Sequence, residues 1–132
     1  MSQIMVVDDN GAMRRSVRRM LEQDGHTVAE APNGRLAMDQ MGHRPAELVI
    51  SDVFMPDMNG FEFLVRLREG FPGTSVIVMS GGGHVGGTPI LDAAAKLGAD
   101  RVFEKPFDLE EMREAVRLVL TQRDPDSGAS ME

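Results

Sequence analysis

Ile4-Met5-Val6-Val7-Asp8-Asp9 is an apolar run of four residues that stops on two carboxylates. A short apolar run bounded by polar residues reads as a strand buried on both faces. The pattern recurs down the chain. Leu48-Val49-Ile50-Ser51 stops on Asp52, and Val102-Phe103 leads through Glu104 to Lys105. Ser75-Val76-Ile77-Val78-Met79, the most strand-like run of all, stops on Ser80. If these strands lie parallel in one sheet, Asp8, Asp9, Asp52 and Lys105 meet at one edge. Carboxylates crowded in this way repel one another and suit a hard cation. A site of that kind can hold a metal and handle a phosphoryl group.

Helical patterns separate the strands. Residues 12–24 place Met13, Val17, Met20 and Leu21 on one face, and Gly25 ends the segment. Residues 27–31 form a weaker strand. After Pro32-Asn33-Gly34 a second helix runs to about Met41, closed by Gly42 and Pro45. Residues 47–51 are the third-strand span, and Pro56 to Gly60 is a loop rich in breakers. Phe61, Leu64 and Val65 begin a helix that ends before Pro72-Gly73. The strand at 75–79 is followed by Ser80 and a glycine-rich loop to Gly87. Thr88 is expected to cap a helix through Leu97, with Gly98 after it. Residues 101–104 give a fifth strand. Asp108 with Glu111 forms a capping-box pattern for a last helix with an apolar stripe at Leu109, Met112, Val116 and Leu120. From Arg123 the chain is polar and carries Pro125, Ser127, Gly128 and Ser130, so residues 123–132 are expected to be a disordered tail behind a domain of residues 1–122. Alternating strands and helices imply an α/β fold, a parallel sheet with helices on both faces. Ligands of such sheets bind beyond the carboxyl ends of the strands, where the charges fall.

The totals exclude several functions. At 132 residues the chain is one domain by length. There is no Cys, which removes disulfides, thiolate metal sites and thiol nucleophiles and fits a cytoplasmic setting. The first apolar stretch is too short for a signal peptide, and no apolar run reaches the length of a membrane span. A net charge of -7 argues against nucleic acid as a partner. Trp and Tyr are absent, so there is no stacking platform beyond scattered Phe.

The chain resembles the response-regulator receiver domains of two-component signalling. The matching pieces are Val6-Val7-Asp8-Asp9, Asp52 with Met55-Pro56 and Gly60, Ser80-Gly81, and Lys105-Pro106-Phe107, in the family's order and spacing. Ala12-Met13-Arg14-Arg15 also looks like the first helix of the chemotaxis regulator CheY. The likeness covers about residues 3–122. It implies a flavodoxin-like, doubly wound (βα)5 fold with strand order 2-1-3-4-5. It implies Asp52 as phospho-acceptor, with a phosphohistidine of a sensor histidine kinase or histidine phosphotransfer protein as donor. Mg²⁺ is the implied cofactor, held by Asp8, Asp9, Asp52 and the backbone carbonyl of Phe54, with Asp9 the direct ligand and Asp8 acting mainly through water. Lys105 would contact a phosphoryl oxygen as a compact point charge. Ser80 would donate a hydrogen bond to another, and Gly81 would leave room for the group. The Lys105-Pro106 bond is expected to be cis. Such a protein is a phospho-acceptor rather than an enzyme, and it signals by phosphorylation-controlled protein binding. The chain is read here as a stand-alone module acting on a separate target protein, with a phosphorelay intermediate as the alternative.

Each residue also has a plainer reading. Asp8 or Asp9 could cap the first helix, Asp52 and Ser80 could be loop residues, and Asp57 is left outside the site. Arg14, Arg15, Arg18 and Arg19 form i,i+4 pairs that usually mark a solvated face, although the family docks its partners on this helix. The methionines read as core filler, and His26, His43 and His84 are too scattered for a metal site.

The chain departs from the family in one respect. Receivers often carry Tyr or Phe three residues before the Lys, and here that position is Val102. Strand alternation points its neighbour Phe103 to the opposite face, so the loop after Ser80 is expected to report the activated state. That loop also matches G-x-G-x-x-G at Gly81, Gly83 and Gly86, with Asp100 near the distance of a ribose contact. Nucleotide binding by Gly81–Gly87 is a remote alternative, because the motif belongs on the first βα turn of a larger fold. Gly87 occupies the place of a Walker lysine. A haloacid-dehalogenase-type phosphatase would need Asp-x-Asp where this chain has Asp8-Asp9-Asn10.

Overall fold

The computed structural model describes residues 2–53, 60–81, 84–85 and 88–130; positions 60, 84–85, 88–89, 91 and 123–130 are described by backbone alone. In chain order the elements are β1 (Gln3–Val7), α1 (Gly11–Gln23), β2 (Thr27–Ala31), α2 (Gly34–His43), β3 (Leu48–Asp52), α3 (Gly60–Gly70), β4 (Ser75–Ser80), β5 (His84–Val85), β6 (Thr88–Pro89), α4 (Ile90–Lys96), β7 (Arg101–Glu104) and α5 (Leu109–Ser130). Five strands form one parallel sheet in the order β2-β1-β3-β4-β7. With β7 counted as the fifth strand of that sheet, this is the expected 2-1-3-4-5 arrangement.

Strand alternation sorts the apolar runs into two layers. Ile4, Val6, Leu48, Ile50, Ile77 and Met79 face α1 and α5, where Val17, Leu21, Met112 and Val116 complete one core. Met5, Val7, Val49, Val76 and Val78 face the other way, onto Ala37, Met41, Phe63, Leu67, Ile90 and Ala94 of α2, α3 and α4. The central strands β1, β3 and β4 are buried on both faces, which is why they read as unbroken apolar runs. Among the described residues no helix is long and apolar enough to cross a membrane.

Helix ends follow local chemistry. Asn10 caps α1, its side chain accepting from Met13 N at 3.1 Å. Asn33 does the same for α2 through Leu36 N at 2.9 Å. Gly25 and Gly98, at φ +91 and +107, take the left-handed conformation that a side chain disfavours just beyond α1 and α4. Asp108 precedes α5 and accepts from Glu110 N at 2.8 Å.

Three expectations change. Thr88 does not cap α4: it lies in β6, where Val85 pairs with Thr88 and His84 with Pro89 in a small antiparallel ribbon, and the helix starts at Ile90. Leu109, the first residue of α5, is exposed, whereas Met112, Val116 and Leu120 of the same stripe are buried. α5 continues past residue 122, where the polar tail was expected to begin.

Candidate functional site

The order of the sheet makes β1 the point where the chain winds to β2 on one side and β3 lies on the other. The crevice beyond the carboxyl ends of β1 and β3 is the usual ligand site of such a sheet. Asp8 and Asp9 leave β1 there and Asp52 ends β3. Because Asn10 caps α1, neither Asp8 nor Asp9 serves as the cap.

Asp8 is wholly buried, at 0% exposure, and Asp52 nearly so, while Asp9 is exposed. Asp8 Oδ1 accepts from Asn10 N at 2.9 Å. Its Oδ2 accepts from Lys105 Nζ at 2.9 Å, and the same ammonium donates to Asp52 Oδ2 at 3.0 Å. Burial lowers the pKa of Lys105, but its hydrogen bonds to Asp8 and Asp52 outweigh this and hold it above the ordinary lysine value. One carboxylate oxygen from each of Asp8, Asp9 and Asp52 lies within 4.8 Å of the others. Three formal negative charges against the one positive charge of Lys105 leave two in excess. Hard oxygen donors, surplus negative charge and an open side at Asp9 fit a divalent cation of the Mg²⁺ type.

Ser80 is fully buried at the end of β4, and its carbonyl accepts from Lys105 N at 2.6 Å. Strand alternation puts its side chain on the side of Val76 and Val78. Gly81 is exposed, and among the described residues nothing lies within 4 Å of where a Cβ would stand. The Lys105-Pro106 bond is cis, as expected. Phe54, Asp57 and Gly83 lie outside the described residues.

Val102 pairs with Val78 and packs in the layer of Ile90 and Ala94, on the same face as Ser80. Phe103 lies in the opposite layer, its ring 5.8 Å from that of Phe107. The position that would face Ser80 is therefore occupied by an aliphatic side chain. Asp100 sits at the other end of the sheet, accepting from Val76 N at 2.8 Å near the start of β4. It cannot reach a nucleotide on the glycine-rich loop.

Two site contacts go beyond the expectations drawn from the sequence. Arg14, read as part of a solvated face, donates to the Asp8 carbonyl at 2.6 Å and to Glu30 at 3.0 Å. Asn10 links the α1 cap to the Asp8 carboxylate, and the cap pattern around it was the one available signal.

The family model of the response regulator receiver domain matches residues 4–117. The chain belongs to this family. Response regulator MprA of Mycolicibacterium vanbaalenii is 37% identical over 127 residues, 96% of this chain and 53% of that protein. Sporulation initiation phosphotransferase F of Bacillus subtilis is 32% identical over 117 residues, 89% of this chain and 92% of that protein. A CheY-like receiver domain protein from Methanospirillum hungatei superposes with a TM-score of 0.87 at 24% identity, covering 96% of this chain and 98% of the other. The receiver domain thus spans about half the length of its MprA relatives and nearly all of the B. subtilis one. The expectation of a stand-alone module is not supported by the MprA relatives, in which the same domain is part of a longer protein. Receiver domains accept phosphoryl groups in two-component signalling, and they do so from histidine kinases or phosphotransfer proteins.

Proposed function

We propose that this receiver domain accepts a phosphoryl group on Asp52 and controls the binding of another protein through it. The observation that carries this reading is the shared ammonium: Lys105 Nζ bridges the buried Asp8 and Asp52 carboxylates beside an exposed third, Asp9. In the transfer an Asp52 oxygen forms a bond to phosphorus as the bond from phosphorus to the donor histidine nitrogen breaks. Such transfers depend on in-line positioning and charge neutralisation. Lys105, already within hydrogen-bond distance of Asp52, contacts an oxygen of the arriving group. The Ser80 hydroxyl donates to another. Asp9, with Asp52 and the Phe54 carbonyl, would hold Mg²⁺ directly, and Asp8, fixed by Asn10 N and Lys105, would act mainly through water. Mg²⁺, when bound, supplies neutralisation of phosphoryl-oxygen charge.

With Val102 facing Ser80, no aromatic ring is available there to follow the hydroxyl inward. We assign the readout instead to the segment after Ser80, including the β5–β6 ribbon. A second reading, a phosphorelay intermediate, is favoured by the likeness to a phosphotransferase over almost its whole length. Rapid return of the group to a histidine phosphotransfer protein would select the relay.

The test is incubation with acetyl phosphate followed by intact mass measurement. With millimolar Mg²⁺ the chain should gain the mass of one phosphoryl group, and with EDTA it should gain none. Equal uptake in both conditions, or none in either, overturns the reading.

A further inference from the structure

We propose that Arg14, oriented by Glu30, is a positioning residue that sets the affinity of the Asp8–Asp9 turn for Mg²⁺; this rests on the reading of those aspartates as metal ligands. The turn joins a buried residue to an exposed one. Asp8 is fixed by its own contacts: its N donates to Ala31 O at 3.2 Å, and both carboxylate oxygens are engaged. Asp9 is exposed, so the direction of its carboxylate is inherited from the backbone. The peptide carbonyl that links them is Asp8 O, and Arg14 Nη1 donates to it at 2.6 Å. A charge-assisted bond of that kind is among the stronger hydrogen bonds a backbone carbonyl receives.

The guanidinium is held in turn. Its Nε donates to Glu30 Oε1 at 3.0 Å, while Arg18 Nη1 donates to Glu30 Oε2 at 2.8 Å. Glu30 belongs to β2 and stands opposite Val6 in the ladder, so its backbone is as fixed as the sheet. Arg14 and Glu30 are each only 18% exposed in their side chains, unlike the solvated ion pairs elsewhere on the helices. One planar fork therefore spans the rigid β2 strand and the carbonyl between the two candidate ligands. A lysine has no second donor arm in the same plane. Groups that orient metal ligands without touching the metal commonly change affinity by about 10–100-fold when removed.

The competing explanation is a strap that only ties α1 to β2. The two differ in what they move. Calorimetric Mg²⁺ titration of the full chain should give a dissociation constant about tenfold weaker in Arg14→Gln and in Glu30→Ala, with partial recovery in Arg14→Lys. Arg19→Gln, an exposed arginine of the same helix, should titrate like the wild type. Should Arg14→Gln not fold, Glu30→Gln carries the measurement, with a smaller shift in the same direction. A lowered melting temperature with unchanged Mg²⁺ affinity in these variants overturns the proposal and leaves the metal reading intact. Absence of saturable Mg²⁺ uptake by the wild type overturns both.

Discussion

Asp52→Asn reduces phosphoryl uptake from acetyl phosphate to background while the protein stays folded. The amide keeps the shape of the carboxylate, and its oxygen still accepts from Lys105, which lies 3.0 Å from Asp52 Oδ2. What it lacks is the nucleophilic oxygen that forms the bond to phosphorus. The substitution also removes one of three crowded carboxylates, so repulsion at the sheet edge falls. Stability in the absence of metal should stay within about 1 kcal/mol of the wild type, measured by urea denaturation. An Asp52→Asn protein that takes up label at the wild-type rate would remove Asp52 from the chemistry.

Lys105→Met has the largest expected effect on stability. Methionine keeps most of the apolar stem and loses the ammonium. The Asp8 carboxylate, with no exposure to water, then keeps among the described residues only its bond from Asn10 N and faces Asp52 without the ammonium between them. Removing one partner of a buried ion pair costs about 3–5 kcal/mol, and the partial exposure of Lys105 places this case near 3 kcal/mol. Millimolar Mg²⁺ should restore more stability to the variant than it adds to the wild type, because the variant has the larger surplus of negative charge. The pH dependence has a definite sign. The folded-state pKa of Lys105 is raised above its ordinary 10.5. Its contribution is therefore complete below that pH and is lost as pH rises through the folded-state value. Lys105→Met should lack this alkaline loss. A denaturation midpoint equal to that of the wild type at neutral pH would refute the ion-pair account.

The legible parts of the molecule are those in which a residue's role is set by its near neighbours. β1, β3 and β4 are readable because central parallel strands are apolar at every position, and the charges that end them mark the carboxyl edge. The opposite orientations of Val102 and Phe103 follow from alternation alone. Other features depend on what the fold brings near. Arg14 and Glu30 are sixteen positions apart and meet only because α1 packs on β2; two pairs of arginines, Arg14-Arg15 and Arg18-Arg19, give no hint that one of the four turns inward. The β5–β6 ribbon escaped the reading because its glycine-rich surroundings carry loop propensity and its strands are two residues long. Leu109 fits its helical stripe by spacing, but spacing alone does not say which end of the stripe the fold covers.

The sheet is also a partition. Among the described residues, the buried apolar side chains form two separate clusters, one on each face. Energetic independence follows. Ile4→Val, on the α1–α5 side, and Ile90→Val, on the α4 side, should each cost about 1 kcal/mol. The double variant should equal their sum within about 0.5 kcal/mol, whereas Ile4→Val with Ile50→Val, within one layer, should deviate from additivity. A domain built this way can drift in sequence on one side without renegotiating the other. The aspartate edge, where loops from both sides converge, is the place where that freedom ends.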